Sequence, residues 1–271
     1  MLISKAVLQS STSGPVISFK NLNFRCDKSD ATIVSSESWN WDLDYGDKLS
    51  ILTPNRYIRY QVISILAELI EPFKGRVEKF GVVGWPVGVQ GGLSPKLRIF
   101  HAIDFLREVY GDCLIQSRFP IDEFWKILSA QSIEQRSILK DLNKTQKDFF
   151  YLALSILFLF DVYLISDARL LMTRQAKLLK EFFHMQLSGS NSLLTTTVSD
   201  KFRKEFCNKG LVIGATGEIL FSGSYQDAIG WYDSNLGKAS TADQDDGQFI
   251  IGSELQDPVN SGQANQDDDD F

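Results

Sequence analysis

The stretch that decides the fold is Asp44 to Gly92, which reads DYGDKLSILTPNRYIRYQVISILAELIEPFKGRVEKFGVVGWPVGVQGG. Lys48 to Leu52 is a short apolar run typical of a buried strand, and Gln61 to Ile70 has the apolar spacing of a helix. Thr53 to Tyr60 therefore fill the turn between them. A strand, a turn and a helix in this order form the layout of a phosphate-binding loop, yet the turn contains neither glycine nor lysine.

Alternating strands and helices continue on both sides of this stretch. Val16 to Phe24 alternates as an edge strand does, and a second strand ends at the turn Tyr45 to Asp47. Because strands and helices alternate after it, we expect an α/β fold with a mostly parallel sheet. The patterns predict strands at Gly75 to Gly84, Val162 to Ser166 and Ser192 to Ser199, a hairpin at Leu211 to Ser224 turning at Thr216-Gly217, and helices at Phe100 to Tyr110, Ile121 to Leu128, Asn143 to Phe160, Arg174 to Leu187 and Tyr225 to Tyr232.

The charge of the chain is concentrated at one end. Gly237 to Phe271 contains nine acidic residues and one lysine, a net charge of -8, so that the other residues carry +2 within the overall -6. A nearly neutral body lacks the basic field of a nucleic-acid-binding protein, so no nucleic-acid partner is expected. The acidic segment is poor in apolar residues, and we expect it to be a disordered tail.

Cysteine spacing and hydropathy exclude several other classes. The three cysteines include no C-x-x-C pair, which argues against a disulfide framework or a metal site, and no metal ligand is predicted. The longest apolar run, Tyr151 to Ile165, is shorter than the roughly 20 residues that cross a bilayer, and Asp161 interrupts it. Residues 1–14 have too short an apolar stretch for a secretory signal and predict a flexible N-terminus. The protein is therefore expected to reach a membrane only through a partner.

Three patches give the chain a family resemblance. Gly84 to Gly111 reads GWPVGVQGGLSPKLRIFHAIDFLREVYG, Ser155 to Asp167 reads SILFLFDVYLISD, and Lys204 to Asn208 reads KEFCN. In this order the patches resemble the nucleotide-binding subunit of an ABC transporter, most closely the subfamily that exports capsular polysaccharide. The resemblance covers Val16 to about Asp233. It implies a P-loop NTPase-like (ABC ATPase) core at 15–236, with an antiparallel β subdomain and a helical subdomain at about 94–150.

The resemblance also assigns the phosphate loop, residue by residue. Thr53 and Ile58 stand where the family has glycines, which let backbone amides approach phosphate. Arg59 stands at the lysine position, with a different fork geometry, and Tyr60 replaces the small hydroxyl that binds magnesium. The resulting degenerate loop consists of Thr53, Asn55, Arg59, Tyr60 and Gln61. Weak binding of Mg-ATP through Arg59 and Asn55 stays open, and no cofactor is assigned with certainty.

Other site positions depart from the family as well. Ser166 stands where an aspartate orients magnesium, and Asp167 stands where a glutamate polarises water, with a strand-end turn residue as the alternative reading. A register shifted by one residue would make Asp167 a metal ligand. The composite-site motif reads Asn143-Lys144-Thr145-Gln146, with Asn143 or Thr145 as a helix cap. The switch histidine position holds Val198, and the adenine-stacking position holds Cys26, with Phe24 as a displaced substitute.

The same resemblance implies partners and a location. Docking to a membrane permease is expected through the turn that contains Trp85, Pro86, Gly88, Gly91 and Gly92. A homodimer or a heterodimer with another ABC ATPase subunit is expected, at the cytoplasmic face of the membrane. Because the departures fall on phosphate, metal, water and base positions together, we expect ATP hydrolysis to be lost. The alternatives are a working ATPase that powers polysaccharide export and a repurposed soluble interaction protein.

Overall fold

A computed structural model of the protein describes residues 14–26, 34–89 and 92–237. The predicted N-terminal segment, the acidic tail and Gly91 lie wholly or almost wholly outside the described residues. In chain order the strands are β1 (Pro15–Asn23), β2 (Trp39–Asp44), β3 (Lys48–Leu52), β4 (Lys74–Lys79), β5 (Val162–Ile165), β6 (Ser192–Thr195), β7 (Lys209–Ile213) and β8 (Ile219–Ser224).

Helices alternate with these strands over most of the described chain. They are α1 (Arg56–Leu66), α2 (Ile99–Val109), α3 (Gly111–Ile115), α4 (Ile121–Ser129), α5 (Lys144–Leu157), α6 (Lys177–Gln186), α7 (Asp200–Phe206) and α8 (Tyr225–Asn235), with short 3-10 turns at Leu139–Asp141 and Leu170–Met172. Each predicted helix is present. The mixed α/β class is confirmed.

The central sheet has the strand order β5-β6-β3-β7-β8. Neighbours from β5 to β7 are parallel, and β8 is antiparallel to β7. Every residue of β5 and β6 is buried, as expected for parallel strands that helices cover on both faces. The mostly parallel sheet predicted from the alternation is therefore confirmed.

The second sheet is antiparallel and has the order β2-β1-β4. The prediction of an edge strand at Val16 to Phe24 was wrong, because β1 pairs with β2 on one side and with β4 on the other. A bulge interrupts both pairings near Asn21, which has a φ of 49°. Opposite it, a Cβ on Gly75 would lie 2.2 Å from the Asn21 carbonyl oxygen, so only glycine fits there.

Helix α1 differs most from its prediction. It begins at Arg56, five residues before the predicted Gln61, and ends at Leu66. The reason is the cap, because Asn55 accepts amide hydrogen bonds from Tyr57 and Ile58 and so starts the helix directly after a short loop. The prediction that Thr53 to Tyr60 form one turn was therefore wrong.

Residues 92–143 pack as a helical layer against the core. One continuous apolar cluster joins α2 and α4 to α5, β5 and α6. Helix α5 extends from Lys144 to Leu157, so it crosses the subdomain limit predicted near residue 150. The layer therefore shares its hydrophobic core with the parallel sheet.

Candidate functional site

The loop after β3 consists of Thr53, Pro54 and Asn55, and its amide groups are used within the loop. The Asn55 amide donates to Thr53 Oγ1 at 3.2 Å, and Pro54 has no amide hydrogen. Asn55 Oδ1 accepts the amides of Tyr57 at 2.9 Å and Ile58 at 3.3 Å. A phosphate loop offers amides of this kind to an anion, and here they already have acceptors.

Asn55 also connects the loop to two other segments. Its Nδ2 donates to the carbonyl oxygens of Cys26 and Ala215, both at 2.9 Å. One side chain thus bonds at both ends, to the start of the helix through its oxygen and to two neighbouring loop segments through its nitrogen. Every residue from 53 to 60 has a negative φ, whereas anion-binding nests alternate right- and left-handed residues.

Arg59 points back along the loop. Its backbone amide donates to the carbonyl oxygen of Asn55 at 3.3 Å. Its Nη1 donates to the carbonyl oxygen of Thr53 at 3.0 Å, where the resemblance placed a glycine. Tyr60 lies on the next helical position, with its ring centroid 6.0 Å from that of Tyr57. The positive charge therefore lies beside the start of the loop.

Asp167, the candidate water-polarising residue, lies just beyond β5 in an ion pair with Arg169. The Arg169 side chain donates to both carboxylate oxygens, with Nη2 2.6 Å from Oδ2, and its amide donates to Oδ1 at 2.8 Å. Bidentate pairs of this kind are the stronger ones. The geometry matches the alternative reading of Asp167 as a strand-end turn residue.

A cavity of about 260 Å³ lies where the ends of β3, β5 and β6 meet. The resemblance predicted several of the residues that line it, including Arg59, Ser166, Asp167 and Val198. Most of the residues that line it are of polar or charged type, and the lining consists of Arg59, Ser166, Asp167, Arg169, Thr196, Thr197, Val198 and Ser199. The structure thus brings the predicted phosphate, metal, water and switch positions together at the carboxyl edge of the parallel sheet. Sequence reasoning missed Arg169, although its spacing of two from Asp167 suits a strand-end pair.

The predicted base-stacking residues lie in the core. Phe24 is fully buried and contacts Trp39 edge to face at 4.7 Å between ring centroids. Its ring therefore has no face open to a base in this structure. Cys26 is 4% exposed, and its carbonyl oxygen is bound by Asn55. Gln61, the last predicted loop residue, is buried within α1.

The composite-site segment forms the N-terminus of α5, as predicted. Asn143 is the cap in a capping box with Gln146, and the alternative cap, Thr145, lies inside the helix. Gln146 also donates to the carbonyl oxygens of Gln131 and Ser132, both at 3.2 Å. The side chains of Asn143 and Gln146 therefore bond to backbone amides within the first turn of α5. Gln146 also lines a cavity of about 420 Å³.

The first residues of the predicted docking turn pack towards the core. The Trp85 ring packs on Tyr110, Phe158 and Phe160. Its Nε1 donates to Ser155 Oγ at 3.0 Å, and the Gly88 amide donates to the same oxygen at 3.2 Å. Pro86 is buried, Gly88 is partly buried, and Gly92 is exposed. Trp85 and Pro86 therefore support the turn from within.

Exposed apolar residues lie next to this turn, and sequence reasoning missed them. We define the docking face as Phe80, Val82, Phe105 and Val109, which are 58%, 43%, 53% and 55% exposed. Phe105 and Val109 are four residues apart on α2 and so share one side of it. The Val82 amide donates to Asp161 Oδ2 at 2.7 Å. Tyr110, next to Val109, packs on Phe160, whose neighbour Asp161 binds the Val82 amide, so a short series of contacts links the two halves.

The described residues lack both a metal-ligand cluster and a membrane-spanning helix. Within residues 14–26, 34–89 and 92–237, no group of three or more His, Cys, Asp or Glu could hold a metal ion. In the same part of the chain, no helix has the length and hydropathy required to cross a membrane.

No protein-family model matches the chain, and no curated protein matches its sequence. Several solved structures match its fold. The ATP binding subunit of an ABC transporter aligns with a TM-score of 0.60 and 15% identity, over 84% of this chain and 97% of that one. The cbiO1 protein from Clostridium perfringens, part of the ABC transporter complex cbiONQ, aligns with a TM-score of 0.52 and 13% identity, over 83% and 96% of the two chains.

A bacterial Atm1-family ABC exporter with ATP bound has a TM-score of 0.59 and 15% identity, over 80% of this chain and 40% of that one. Identities this low establish the fold alone. The strand order, the separate antiparallel sheet and the helical layer agree with that likeness. The chain therefore has the fold of ABC transporter ATP-binding subunits, with a P-loop NTPase-like core.

Proposed function

We propose that this protein is an ABC-type subunit that has lost ATP hydrolysis and acts as a structural or regulatory half of a transporter. It would lie at the cytoplasmic face of a membrane, bound to a permease, and pair with a second copy or with a competent ABC ATPase. The observation that carries the proposal is the use of the loop amides inside the loop. Asn55, Tyr57, Ile58 and Arg59 all donate to acceptors within the loop or the first turn.

Binding a triphosphate in this loop would require these bonds to break. Each amide would exchange one acceptor for another, so the phosphate would gain little from contacts that elsewhere hold it. Pro54 offers no amide, and the side chains at Thr53 and Ile58 obstruct close approach of backbone to phosphate. The pairing of Asp167 with Arg169 further supports the loss of hydrolysis, because a carboxylate in a bidentate pair is a weaker acceptor for a water proton.

The docking face supports the permease partner. Exposed apolar residues scattered singly are ordinary, but a group beside one turn marks an interaction site. Phe105 and Val109 are exposed on α2, and Phe80 and Val82 are exposed after β4. The partly buried Trp85 packs on Tyr110 and Phe160, the neighbours of Val109 and Asp161. An apolar helix of a permease would bury these side chains by packing against α2.

The transported substrate is proposed from sequence alone. The resemblance of Gly84 to Gly111 to the capsular-polysaccharide subfamily favours a glycan exporter. Deleting the gene should lower the amount of polysaccharide at the cell surface, measured by glycan staining and quantification. An unchanged amount of surface polysaccharide in the deleted strain would contradict this substrate class. It would not contradict the subunit role, which ATP binding and permease docking test separately.

The first test measures ATP binding and phosphate release with purified full-length protein. We expect no saturable binding of a fluorescent ATP analogue with magnesium, and no phosphate release above that of buffer. The variants Arg59→Ala and Asp167→Asn should then give the same binding signal and the same phosphate release as the wild-type chain. If phosphate is released and either variant abolishes the release, the alternative function, a working ATPase that powers export, is correct.

The second test measures docking. The permease should copurify with the wild-type chain, and Phe80→Asp or Phe105→Asp should reduce the recovered permease at least tenfold, because a charge would be buried against apolar surface. Leu178→Asp on α6 is the matched control, since Leu178 is 53% exposed and lies outside the docking face. A wild-type chain recovered as a soluble monomer without permease would favour the second alternative, a repurposed interaction protein.

A further inference from the structure

The cavity of about 420 Å³ lies in the helical layer, between the start of α2 and the start of α5. Two arginines, Arg98 and Arg136, line it together with Ser132, Ser137 and Asp141. Among the described residues, it shares none of its lining with the cavity at the strand ends. Its volume falls within the roughly 300 to 1,000 Å³ of sites for small organic ligands. The cavity is therefore large enough for a small molecule of its own.

A short antiparallel pairing of two segments brings the arginines to this cavity. Arg98 forms a backbone bridge with Ile138, and the Ile99 amide donates to the carbonyl oxygen of Ser137 at 3.0 Å. The Arg98 side chain follows the same direction, because its Nη1 donates to the carbonyl oxygen of Arg136 at 3.1 Å. Two arginines that are 38 positions apart in sequence thus lie at one place.

The arginine charges at this cavity are not neutralised by ion pairs. Within the described part of the chain, neither Arg98 nor Arg136 pairs with a carboxylate, and both are exposed. Asp141 is the one acidic residue of the lining, so two arginines and one aspartate leave a net charge of +1. The paired segments 95–100 and 134–141 contain four basic and two acidic residues, a net charge of +2. The cavity is therefore suited to an anion.

Side chains provide the donors for such a ligand. The backbone amides of Asn143 and Gln146 at the start of α5 bond to each other's side chains, at 3.1 and 2.9 Å. The guanidinium groups of Arg98 and Arg136 remain, and this group binds carboxylate and phosphate oxygens through paired hydrogen bonds. Two guanidinium groups offer more donors than one carboxylate accepts, whereas a phosphate monoester has three terminal oxygens. The arrangement favours a phosphate group over a single carboxylate.

Apolar side chains line the same cavity, where they would contact the rest of the ligand. Leu142 is buried, and Ile138 is half-buried. We propose that the cavity binds a phosphate monoester, with the phosphate on Arg98 and Arg136 and the organic part against Ile138 and Leu142. A soluble ester and the headgroup of an acidic lipid both have this chemistry. The site goes beyond the proposed function, because it uses neither the loop after β3 nor the docking face.

Calorimetry with glycerol 3-phosphate and the full-length chain tests the site. We expect saturable binding by the wild-type chain and a dissociation constant at least tenfold higher for the double variant Arg98→Gln and Arg136→Gln, because both charged groups are lost. The matched control is the double variant Arg76→Gln and Arg107→Gln. It has the same change in charge at two exposed arginines that already form ion pairs, and its dissociation constant should stay within twofold of wild type. Equal weakening in the two double variants, or no saturable binding by the wild-type chain, would overturn the proposal.

The acidic residue of the lining gives a test in the opposite direction. Asp141→Asn should lower the dissociation constant for glycerol 3-phosphate about threefold or more at low salt, because it removes a repulsive charge beside the phosphate. Asp233→Asn is the control, with the same change in charge at an exposed position on α8. Binding that Asp141→Asn leaves unchanged, or that both variants strengthen equally, would contradict a ligand in this cavity.

Cosedimentation with vesicles distinguishes the two sources of the phosphate group. Vesicles of phosphatidylcholine and phosphatidic acid present a glycerol phosphate monoester at a membrane surface, whereas phosphatidylglycerol presents a diester of the same sign of charge. Sedimentation with phosphatidic acid but not with phosphatidylglycerol, lost in the Arg98 and Arg136 double variant, would support the site and identify a lipid headgroup. Calorimetric binding without sedimentation would support the site and identify a soluble ester. Displacement of glycerol 3-phosphate by an equal concentration of acetate would overturn the preference for phosphate and with it the proposal.

Discussion

At the residue scale, Asn55 shows how one side chain can take the place of a ligand. Its oxygen accepts two amides at the start of α1, and its nitrogen bonds to two carbonyl oxygens on neighbouring segments. A bound phosphate would accept the same amides and carry negative charge to the same helix terminus. Asn55 provides the acceptor without the charge. The acceptors for these two amides therefore come from within the chain.

Substitution of Asn55 tests this role through the stability of the folded chain. Asn55→Ala should lower the free energy of unfolding by about 1 to 2 kcal/mol, because the cap is lost. Asn55→Asp should also destabilise, because an oxygen would replace the nitrogen that donates to Cys26 and Ala215. At a simple cap Asn and Asp are nearly equivalent, so Asn143→Asp on α5 should change stability by less than about 0.5 kcal/mol. Urea denaturation of each variant measures these differences.

Glu205 gives a residue-scale prediction for pH. Burial raises its pKa, but hydrogen bonds from His184 and Lys180 outweigh burial and hold the pKa below the usual value for glutamate. The ionised form is thus favoured in the folded state. Its contribution, within about 1 kcal/mol for an exposed pair, is complete above the ordinary glutamate pKa and is lost as pH falls through the lowered value.

The measurement compares unfolding of the wild-type chain and Glu205→Gln between pH 7 and pH 3. The wild-type chain should be the more stable at pH 7, and the difference should shrink below about pH 4.5. A difference that stays constant down to pH 3 would show that ionisation of Glu205 does not stabilise the contact between α6 and α7.

At the element scale, Arg118 closes the end of α6. Its Nη1 donates to the carbonyl oxygens of Met185 at 2.9 Å, Gln186 at 2.8 Å and Ser188 at 3.1 Å. The last carbonyls of a helix have no partners within it, and a positive charge there is favourable. Because Arg118 lies between α3 and α4, its hydrogen bonds also connect the helical layer to the end of α6.

Arg118→Met should therefore cost about 1 to 2 kcal/mol of stability, as expected for charged hydrogen bonds that solvent partly reaches. Arg107→Met is the control, because Arg107 is 57% exposed and forms a surface pair with Asp104 at 2.9 Å. Its cost should be below about 0.5 kcal/mol. Equal midpoints of denaturation for the two variants would contradict the role of Arg118.

At the scale of the whole molecule, the tip of the β7–β8 hairpin joins the two sheets. Trp39 Nε1 donates to the Gly217 carbonyl oxygen at 2.8 Å, and the Ser36 amide donates to that of Thr216 at 2.9 Å. Gly217 has a φ of 88°, and a Cβ there would lie 2.8 Å from Ser35 Cβ. Both the backbone conformation and the close approach require glycine.

Gly217→Ala should therefore destabilise more than Gly88→Ala. Gly88 also has a positive φ, 79°, but no atom lies within 4 Å of its added Cβ. Strain alone should cost about 1 kcal/mol at Gly88, and crowding should add about 1 to 3 kcal/mol at Gly217. Thermal unfolding followed by tryptophan fluorescence compares the two variants. A smaller loss of stability for Gly217→Ala than for Gly88→Ala would mean that the hairpin tip accommodates the added methyl group by a small shift.

The local sequence pattern predicted most strands and helices, because buried apolar residues recur at the spacing of the element that they belong to. The buried run at Val162 to Ile165 and the capping residue Asn143 were recognisable in this way. The start of α1 was not, since it depends on an Asn55 bond pattern that also involves Cys26 and Ala215, which are distant in sequence. The pairing of β1 on both sides likewise required a strand that follows more than fifty residues later.

The sequence by itself determined the α/β class, the parallel core and the residue types at the cavity, because these follow from hydrophobic period and from side-chain chemistry. Only the tertiary structure decided how those residues are used. Asn55 takes up the loop amides, Arg169 pairs with Asp167, and Phe24 enters the core instead of facing a ligand. Each of these outcomes depends on which groups folding brings within hydrogen-bonding or packing distance, and a linear pattern does not contain that information.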